Sequence, residues 1–262
     1  MQLTLPTGHF VNYKSFSQRA RVATEAWGSD NLYCPNCAED RLTCTPPNTP
    51  TVDYVCRRCD TTFQLKSQSR PLSLRIADAT YGAMSDAIRS NRTPDLFLIH
   101  YDNEKWLVSN VILVPHFAFS MSAIEKRKPL SPKARRAGWV GCNILLGQIP
   151  ADAKIPIVTE GCGISISEVR QQYARLRPLE ALTSEKRGWT LDVLNAVRAL
   201  GKNDFSLSDV YALETSLRKL YPRNRHVRDK IRQQLQVLRD LGLLEFLGHG
   251  RYRLRKGSLN TN

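Results

Sequence analysis

The sequence predicts an α/β domain that carries a metal knuckle, followed by a C-terminal winged-helix domain. Short β-prone runs alternate with helical segments over the first two thirds of the chain, which is typical of an α/β core. Two Cys-x-x-Cys pairs near the N-terminus have the spacing of a zinc site. Three amphipathic segments and a basic hairpin follow at the C-terminus. We place the boundary near Thr183, which gives domains of residues 1–182 and 183–262.

The whole-chain composition indicates a globular protein with a polyanionic partner. Its 262 residues are 42% hydrophobic, and no stretch is long and apolar enough to span a bilayer. A formal net charge of +14 is costly in self-repulsion unless a polyanion neutralises part of it, so nucleic acid is the expected partner. We expect no membrane partner and no export signal, and therefore a cytoplasmic location. The alternative is a basic surface without a ligand.

The N-terminal segment predicts a helix at residues 15–27, with Glu25 near its end. Its apolar face comprises Phe16, Ala20, Ala23 and Trp27. The two knuckles that follow are Cys34 with Cys37 and Cys56 with Cys59. Four thiolates at this spacing favour a structural zinc in a reducing compartment. The three remaining cysteines are interpreted as idle or buried thiols, namely Cys44, Cys142 and Cys162.

The second knuckle is flanked by the runs TVDYV and TTFQLK, so a zinc ion there would clamp the turn of a hairpin. Pairing across this turn brings Asp53 beside Gln64 and Lys66, because same-face residues on neighbouring strands lie about 5 Å apart. This spacing is that of the PD-(D/E)XK nucleases, in which an Asp is followed eleven residues later by an acid or amide, then any residue, then Lys. Such nucleases present metal ligands and a Lys to a scissile phosphate. The alternative is three ordinary hairpin residues.

The middle of the chain predicts further α/β elements: a helix at 73–90, strands at 95–101, 109–114, 143–146 and 154–159, and a helix at 165–176. Between them, residues 126–136 carry six basic side chains in eleven residues and no apolar periodicity, which indicates an exposed loop. We expect DNA contacts here from Lys126, Arg127, Lys133, Arg135 and Arg136, together with the adjoining Trp139. The alternatives are a solvated charged face and a buried core Trp.

The last eighty residues carry 16 Lys and Arg against 8 Asp and Glu. They predict helices at 189–200, 206–222 and 224–241 and a hairpin turning at 248–250, which together make a winged helix. In such a module the third helix enters the major groove, where Arg can bridge guanine and Gln can bridge adenine. The candidate DNA-binding residues are Arg225, Arg228, Arg232, Gln233, Gln236, Arg251 and Arg253. A winged helix used for protein contacts is the alternative.

Several strings resemble the DpnI-like methyl-directed type II restriction endonucleases, the Dam-replacing protein family. They are YCPNC, the second Cys-x-x-Cys, FQLKS, RKPLSPKARRAGWVGCNI, RGWT and KIRQQLQVLRD. The resemblance spans nearly the whole chain. It implies a PD-(D/E)XK catalytic domain with structural zinc, joined to a winged-helix domain, with both domains binding double-stranded DNA. It further implies a preference for G-A-T-C that carries N6-methyladenine, Mg²⁺-dependent hydrolysis of both strands, and a bacterial, nucleoid-associated location.

The resemblance also implies roles for individual residues. Asp53 and the residue at position 64 would hold Mg²⁺ with the carbonyl of Leu65, and Lys66 would orient the attacking water. Glu25 is a candidate for a further, water-mediated contact with the metal, and a plain helix-end acid is its alternative. Trp139 would contact the adenine methyl groups. A chain with two DNA-binding units is expected to act as a monomer.

Gln64 departs from the family pattern, which has Glu at this position. An amide keeps an oxygen at similar reach but removes one negative charge from a Mg²⁺ site. Three explanations stay open: an amide variant that still cuts, a natural binder that has lost cutting, and a deliberate inactivating substitution. Two rival functions follow, a catalytically dead reader of methyl-adenine and a zinc-containing winged-helix transcription regulator.

Overall fold

The computed structural model describes residues 1–46, 49 and 51–255, apart from the side chains of His9 and Val11. The helices are α1 (Phe16–Asn31), α2 (Tyr81–Arg89), α3 (Ile166–Leu176), α4 (Ser184–Ala199), α5 (Leu207–Tyr211), α6 (Glu214–Leu220) and α7 (Val227–Asp240). The strands are β1 (Thr43–Cys44), β2 (Tyr54–Val55), β3 (Thr62–Gln68), β4 (Arg75–Thr80), β5 (Asp95–Asp102), β6 (Leu107–Val114), β7 (Ile124–Lys126), β8 (Gly141–Leu145), β9 (Ile155–Thr159), β10 (Cys162–Gly163), β11 (Asp204–Ser206), β12 (Leu244–Gly248) and β13 (Arg251–Leu254). Over these residues, no helix combines the length and the apolar character that a bilayer crossing requires.

The chain packs as two compact units. The first comprises Met1–Ser73, Thr93–His116 and Ala153–Arg175. The second comprises Leu74–Arg92, Phe117–Asp152 and the described part of Leu176–Asn262. The division into residues 1–182 and 183–262 was inferred from sequence composition and stays a prediction.

The first unit is built on a seven-stranded mixed sheet in the order β1-β2-β3-β5-β6-β9-β10. Strands β3 and β5 are parallel and the other neighbours are antiparallel. The ring of Phe63 stacks on that of Phe97 at 5.4 Å between centroids, and both side chains are buried. Helix α1 packs on β3, where Thr24 Oγ1 lies 3.1 Å from Ser67 Oγ. The predicted α/β core is confirmed.

The predicted N-terminal helix is confirmed and runs to Asn31. Ser15 caps it, because its hydroxyl accepts a hydrogen bond from the backbone N–H of Gln18 at 3.2 Å. Ala20, Ala23 and Trp27 form its buried face. Phe16, which we expected on this face, is 47% exposed, so the buried stripe starts one turn later.

The second unit contains a small sheet in the order β4-β8-β7 with helix α2 beside it. The predicted helix at 73–90 is therefore wrong over its first half, where β4 precedes α2. In β4, exposed and buried residues alternate from Arg75 to Asp78, which is the two-residue period of a strand. Thr80 then caps α2 by accepting from the backbone N–H of Ala83 at 3.3 Å.

The predicted winged helix is confirmed, with helices α4 to α7 and a sheet in the order β11-β13-β12. Ser206 and Asp209 form the expected capping box at the start of α5. Two expectations need correction. The second helix is split into α5 and α6, and the third begins at Val227, so Arg225 lies in the preceding loop. Gly242, with φ of +71°, ends the third helix region as expected.

A buried carboxylate joins three segments within the second unit. Asp192 of α4 is 4% exposed and accepts hydrogen bonds from the hydroxyls of Ser122 and Tyr221. Burial raises the pKa of Asp192, and these two bonds oppose the rise. The ring of Tyr221 stacks on Trp189 at 3.6 Å between centroids. Ser122 leads into β7 and Tyr221 precedes α7, so the network ties the base of the basic loop to the winged helix.

A close approach between α1 and β2 in the first unit depends on Gly28. The Tyr54 hydroxyl donates to the carbonyl oxygen of Glu25 at 2.7 Å, and Tyr54 is 1% exposed. A Cβ added at Gly28 would lie 2.4 Å from that hydroxyl oxygen. Any side chain larger than hydrogen at Gly28 therefore requires the Tyr54 side chain to shift.

We predict that Gly28→Ala destabilises the protein by about 1–3 kcal/mol, because it overpacks a buried contact. Gly82→Ala is the matched control, since a Cβ at Gly82, within α2, meets nothing within 4 Å. Chemical denaturation of the two variants checks this. Equal unfolding midpoints would contradict it, because they would show that the Tyr54 side chain can shift without loss of stability.

Candidate functional site

The four knuckle cysteines converge at the hairpin turn. Cys34 and Cys37 follow α1, while Cys56 and Cys59 lie in the turn between β2 and β3. Their sulfur atoms all lie within 4.8 Å of one another, and the pairs Cys34–Cys59 and Cys37–Cys56 are 3.5 Å apart. Four sulfurs bound to one zinc ion at about 2.3 Å would stand about 3.8 Å apart. The cluster is therefore placed and sized for metal binding and is consistent with a structural zinc.

The ionisation of these thiols depends on their surroundings. Burial raises the pKa of both Cys34 and Cys56. Burial also acts on Cys59, but hydrogen bonds, foremost those from Thr61, bring its pKa down to about 7. A bound dication would stabilise all four sulfurs as thiolates, so metal binding and formation of the turn are coupled.

Arg170 of α3 holds the first knuckle from outside. Its guanidinium donates to the carbonyl oxygens of Cys34 at 3.1 Å and Glu39 at 2.9 Å, and to the carboxylate of Asp40 at 3.0 Å. It also lies 5.7 Å from the centre of the Tyr33 ring. This contact could not be predicted from local patterns, because 136 residues separate Arg170 from Cys34.

The hairpin sets the register of the candidate catalytic residues. Tyr54 pairs with Phe63 and Val55 with Thr62, so Asp53 lies one residue before the paired segment of β2. The backbone N–H of Asp53 donates to the Phe63 carbonyl at 2.8 Å, and the Asp53 carboxylate accepts from the Leu65 N–H at 2.7 Å. Asp53 is thus fixed beside the strand segment that carries Gln64 and Lys66.

Asp53, Gln64, Leu65 and Lys66 line one groove of about 840 Å³ together with Glu25. Gln64 is only 8% exposed. Burial raises the pKa of Glu25; its ion pair with Arg21 opposes this, and the negative charge of Asp53 adds to it. Two carboxylates, an amide and a backbone carbonyl that line one groove offer oxygen donors that suit a hard divalent cation. The set fits Mg²⁺, with one negative charge fewer than it would have with Glu at position 64.

The basic loop lies in the second unit and folds back on itself. Lys126 ends β7, and the N–H of Leu130 donates to the carbonyl of Trp139 at 2.9 Å. Lys126, Arg127, Lys133, Arg135 and Arg136 are all exposed. Trp139 is half-buried: its ring packs on Gly141, where an added Cβ would lie 2.6 Å away, and the Arg136 guanidinium lies 5.3 Å from the ring centre. With Lys128, which is also exposed, the loop thus presents six cations and one partly covered aromatic ring.

On α7 the expected polar face is exposed: Arg228, Arg232, Gln233 and Gln236. Gln234, between two of them, is instead buried and accepts from the Thr190 hydroxyl at 2.8 Å. Arg228 pairs with Glu214 at 2.7 Å and lies 5.2 Å from the Tyr211 ring centre. The structure therefore presents Arg228 in a fixed position.

Flanking α7, the remaining three candidate cations are also exposed. Arg225 precedes α7 and lines a shallow depression with His226 and Gln233. Arg251 and Arg253 point to the same side of β13, where exposed and buried residues alternate. Arg253 makes two bonds to the carboxylate of Asp204, at 2.7 and 2.8 Å, so it is bound within the wing sheet.

Comparison with protein-family models gives two matches. The model of DpnI, the Dam-replacing family, matches residues 1–182. The model of the DpnI C-terminal domain, the Dam-replacing HTH domain, matches residues 185–254. Together they cover nearly the whole chain, and the DNA-binding module coincides with helices α4 to α7 and the wing.

We predict that the purified chain holds one zinc per molecule and that Arg170→Ala weakens its retention. Losing charge-assisted hydrogen bonds to the knuckle is expected to cost about 1–3 kcal/mol and to speed zinc transfer to a chelator. Arg89→Ala is the control, because Arg89 forms an exposed ion pair with Asp86 on α2. Zinc release followed with a metallochromic dye checks this; equal rates in both variants would contradict it.

Proposed function

Because the chain belongs to the DpnI, Dam-replacing family, we propose that it is a methylation-dependent type II restriction endonuclease. Its substrate is double-stranded DNA containing G-A-T-C with N6-methyladenine, and the reaction is Mg²⁺-assisted hydrolysis of phosphodiester bonds. The observation that carries the proposal is the β2–β3 hairpin, which brings Asp53, Gln64 and Lys66 to one groove with Glu25.

Each residue has a stated role in this proposal. Asp53, Gln64 and the Leu65 carbonyl would hold Mg²⁺, which supplies Lewis-acid activation of water and of the phosphate. Lys66 orients the attacking water and stabilises the negative charge that develops on the phosphate oxygens. Water loses a proton to solvent as its oxygen bonds to phosphorus. The bond from phosphorus to the leaving sugar oxygen breaks, and that oxygen takes up a proton from solvent. Glu25 would contact the metal through water.

In this proposal the two sequence domains have different functions. Residues 1–182 form the catalytic domain, stabilised by a zinc ion at the four cysteines, and residues 183–262 form a second reader of DNA. In the catalytic domain, the cations of the basic loop pair with phosphates and Trp139 contacts adenine methyl groups. In the second reader, α7 contacts base edges with Arg228, Arg232, Gln233 and Gln236. The protein acts on the bacterial nucleoid as a monomer.

The second candidate is a catalytically dead reader of methyl-adenine, and Gln64 is the observation that favours it. Replacing a carboxylate by an amide removes one charge from a site whose metal prefers anionic oxygens. A zinc-containing transcription regulator shares the DNA partner with both candidates, so binding alone does not separate them. A cleavage assay after the carboxylate is restored at position 64 separates them.

We predict that Gln64→Glu cuts Dam-methylated plasmid in the presence of Mg²⁺ and leaves unmethylated plasmid intact. The parent chain should cut about a hundredfold more slowly or not at all, since it lacks one charge at the metal site. Gln64→Glu combined with Lys66→Ala is the negative control. Gel analysis of plasmid linearisation checks this, and the nuclease proposal fails if neither form cuts methylated DNA.

We predict that Trp139→Ala reduces the preference for methylated over unmethylated duplex by about fourfold per methyl group, the value of one buried methyl carbon. Trp139→Phe should keep most of the preference, which separates methyl contact from loss of folding. Arg135→Ala should weaken binding of both duplexes alike, since phosphate contacts carry no base information. Fluorescence anisotropy with paired duplexes measures all three, and an unchanged preference in Trp139→Ala would contradict the assignment.

A further inference from the structure

The groove of the candidate site also has an apolar wall that the hydrolysis does not use. Phe16, at the start of α1, and Tyr101, near the end of β5, line the groove that Asp53, Gln64 and Lys66 line. Phe16 is 47% exposed, although it is a large apolar side chain beside polar groups. A groove that combines an exposed aromatic ring with charged side chains suits a ligand that has both charged groups and apolar surface.

Phe16 is held by neighbouring rings. Its centroid lies 5.4 Å from that of Trp106, which is also 4.5 Å from Phe10 and 6.0 Å from Tyr101. Trp106 has a φ of +51° in the turn between β5 and β6, a left-handed conformation that is unfavourable for a bulky residue. Its carbonyl accepts from the Leu5 N–H at 2.8 Å. Such strain persists only where the surroundings fix it, so Phe16 rests on a rigid support.

Cations border this apolar wall. Lys66, Arg21 and Arg70 line the same groove. The segment carrying Arg70 is fixed by Gln68, whose amide donates to the carbonyl oxygens of Arg70 at 3.1 Å and Pro71 at 2.7 Å. Phosphates of a bound strand would pair with these cations. The part of a strand that joins successive phosphates and has apolar faces is the deoxyribose, because base faces in a duplex are covered by stacking.

We propose that Phe16 packs on a deoxyribose ring next to the phosphate that is cut, and that this contact selects DNA strands over RNA strands. The inference rests on the proposed function, which places DNA in this groove. A ribose would press its 2′-hydroxyl against the Phe16 ring, where the hydroxyl loses water and gains no hydrogen-bond partner. The 2′-hydroxyl is the group by which a protein distinguishes the two nucleic acids at one position.

A scan of single ribonucleotides through a methylated duplex tests this. With the full chain and no divalent cation, we expect one ribonucleotide position beside the cut to weaken binding about fivefold or more. Phe16→Ala should bind that duplex and its all-deoxy counterpart equally, and Phe16→Leu, which keeps an apolar face, should restore the difference. Ile166→Ala is the control, because Ile166 is 39% exposed and lies outside the residues that line the groove.

The inference is overturned if the chain tolerates ribonucleotides at every position, or if Phe16→Ala keeps the original pattern. If an abasic nucleotide weakens binding and a ribonucleotide does not, Phe16 contacts a base and not a sugar, and the inference is also overturned. Because binding is read without cleavage, a Gln64→Glu variant that fails to cut leaves this measurement intact. A loss of all duplex binding would instead count against the proposed function.

Discussion

The pairing of β2 with β3 is the interaction on which the candidate site depends, and β2 has only two residues. A ladder this short is marginal by itself, and a slip of one residue would turn Asp53 away from the groove. Three constraints hold the register: the cysteine cluster in the turn, the bond from the Leu65 N–H to the Asp53 carboxylate, and Tyr54 packed against Gly28. The cysteine cluster thus helps to fix the position of Asp53 at a distance, through backbone geometry.

Much of this arrangement could be predicted from the sequence, because its determinants are local. The spacing of the cysteine pairs predicts a tetrahedral cluster whatever the rest of the fold. The short turn that carries Cys56 and Cys59 brings Asp53 beside the strand segment of Gln64. The capping box at Ser206 and the stop at Gly242 are similarly local, and both are confirmed.

Features that depend on tertiary packing were not predictable. Residues 73–90 contain four Ala, which favour a helix, but Arg75–Thr80 pairs with β8, and its alternating burial exists only beside that partner. Arg170 reaches the knuckle from the far end of the first unit's sequence, and Gly28 matters only because Tyr54 approaches it. No periodicity in the chain indicates either contact.

The second unit contains residues from both family-model matches. Its small sheet and basic loop precede residue 182, yet they share a compact unit with the winged helix, and Asp192 contacts both Ser122 and Tyr221. Elements that we assign to DNA contact in two sequence domains are therefore connected by a buried carboxylate. Sequence domains and packing units are different divisions of this chain.

The ion pairs of the winged helix have a consequence for the thermodynamics of its association with a polyanion. Glu214 bonds both Arg218 and Arg228, and Asp204 bonds Arg253, so part of the positive charge is already compensated within the protein. Hydrogen bonds from Arg218 and Arg228 lower the pKa of Glu214, so it stays ionised further into the acidic range. Fewer counterions are then released on association than the tally of arginines suggests, and a larger share of the affinity comes from shape and hydrogen bonding.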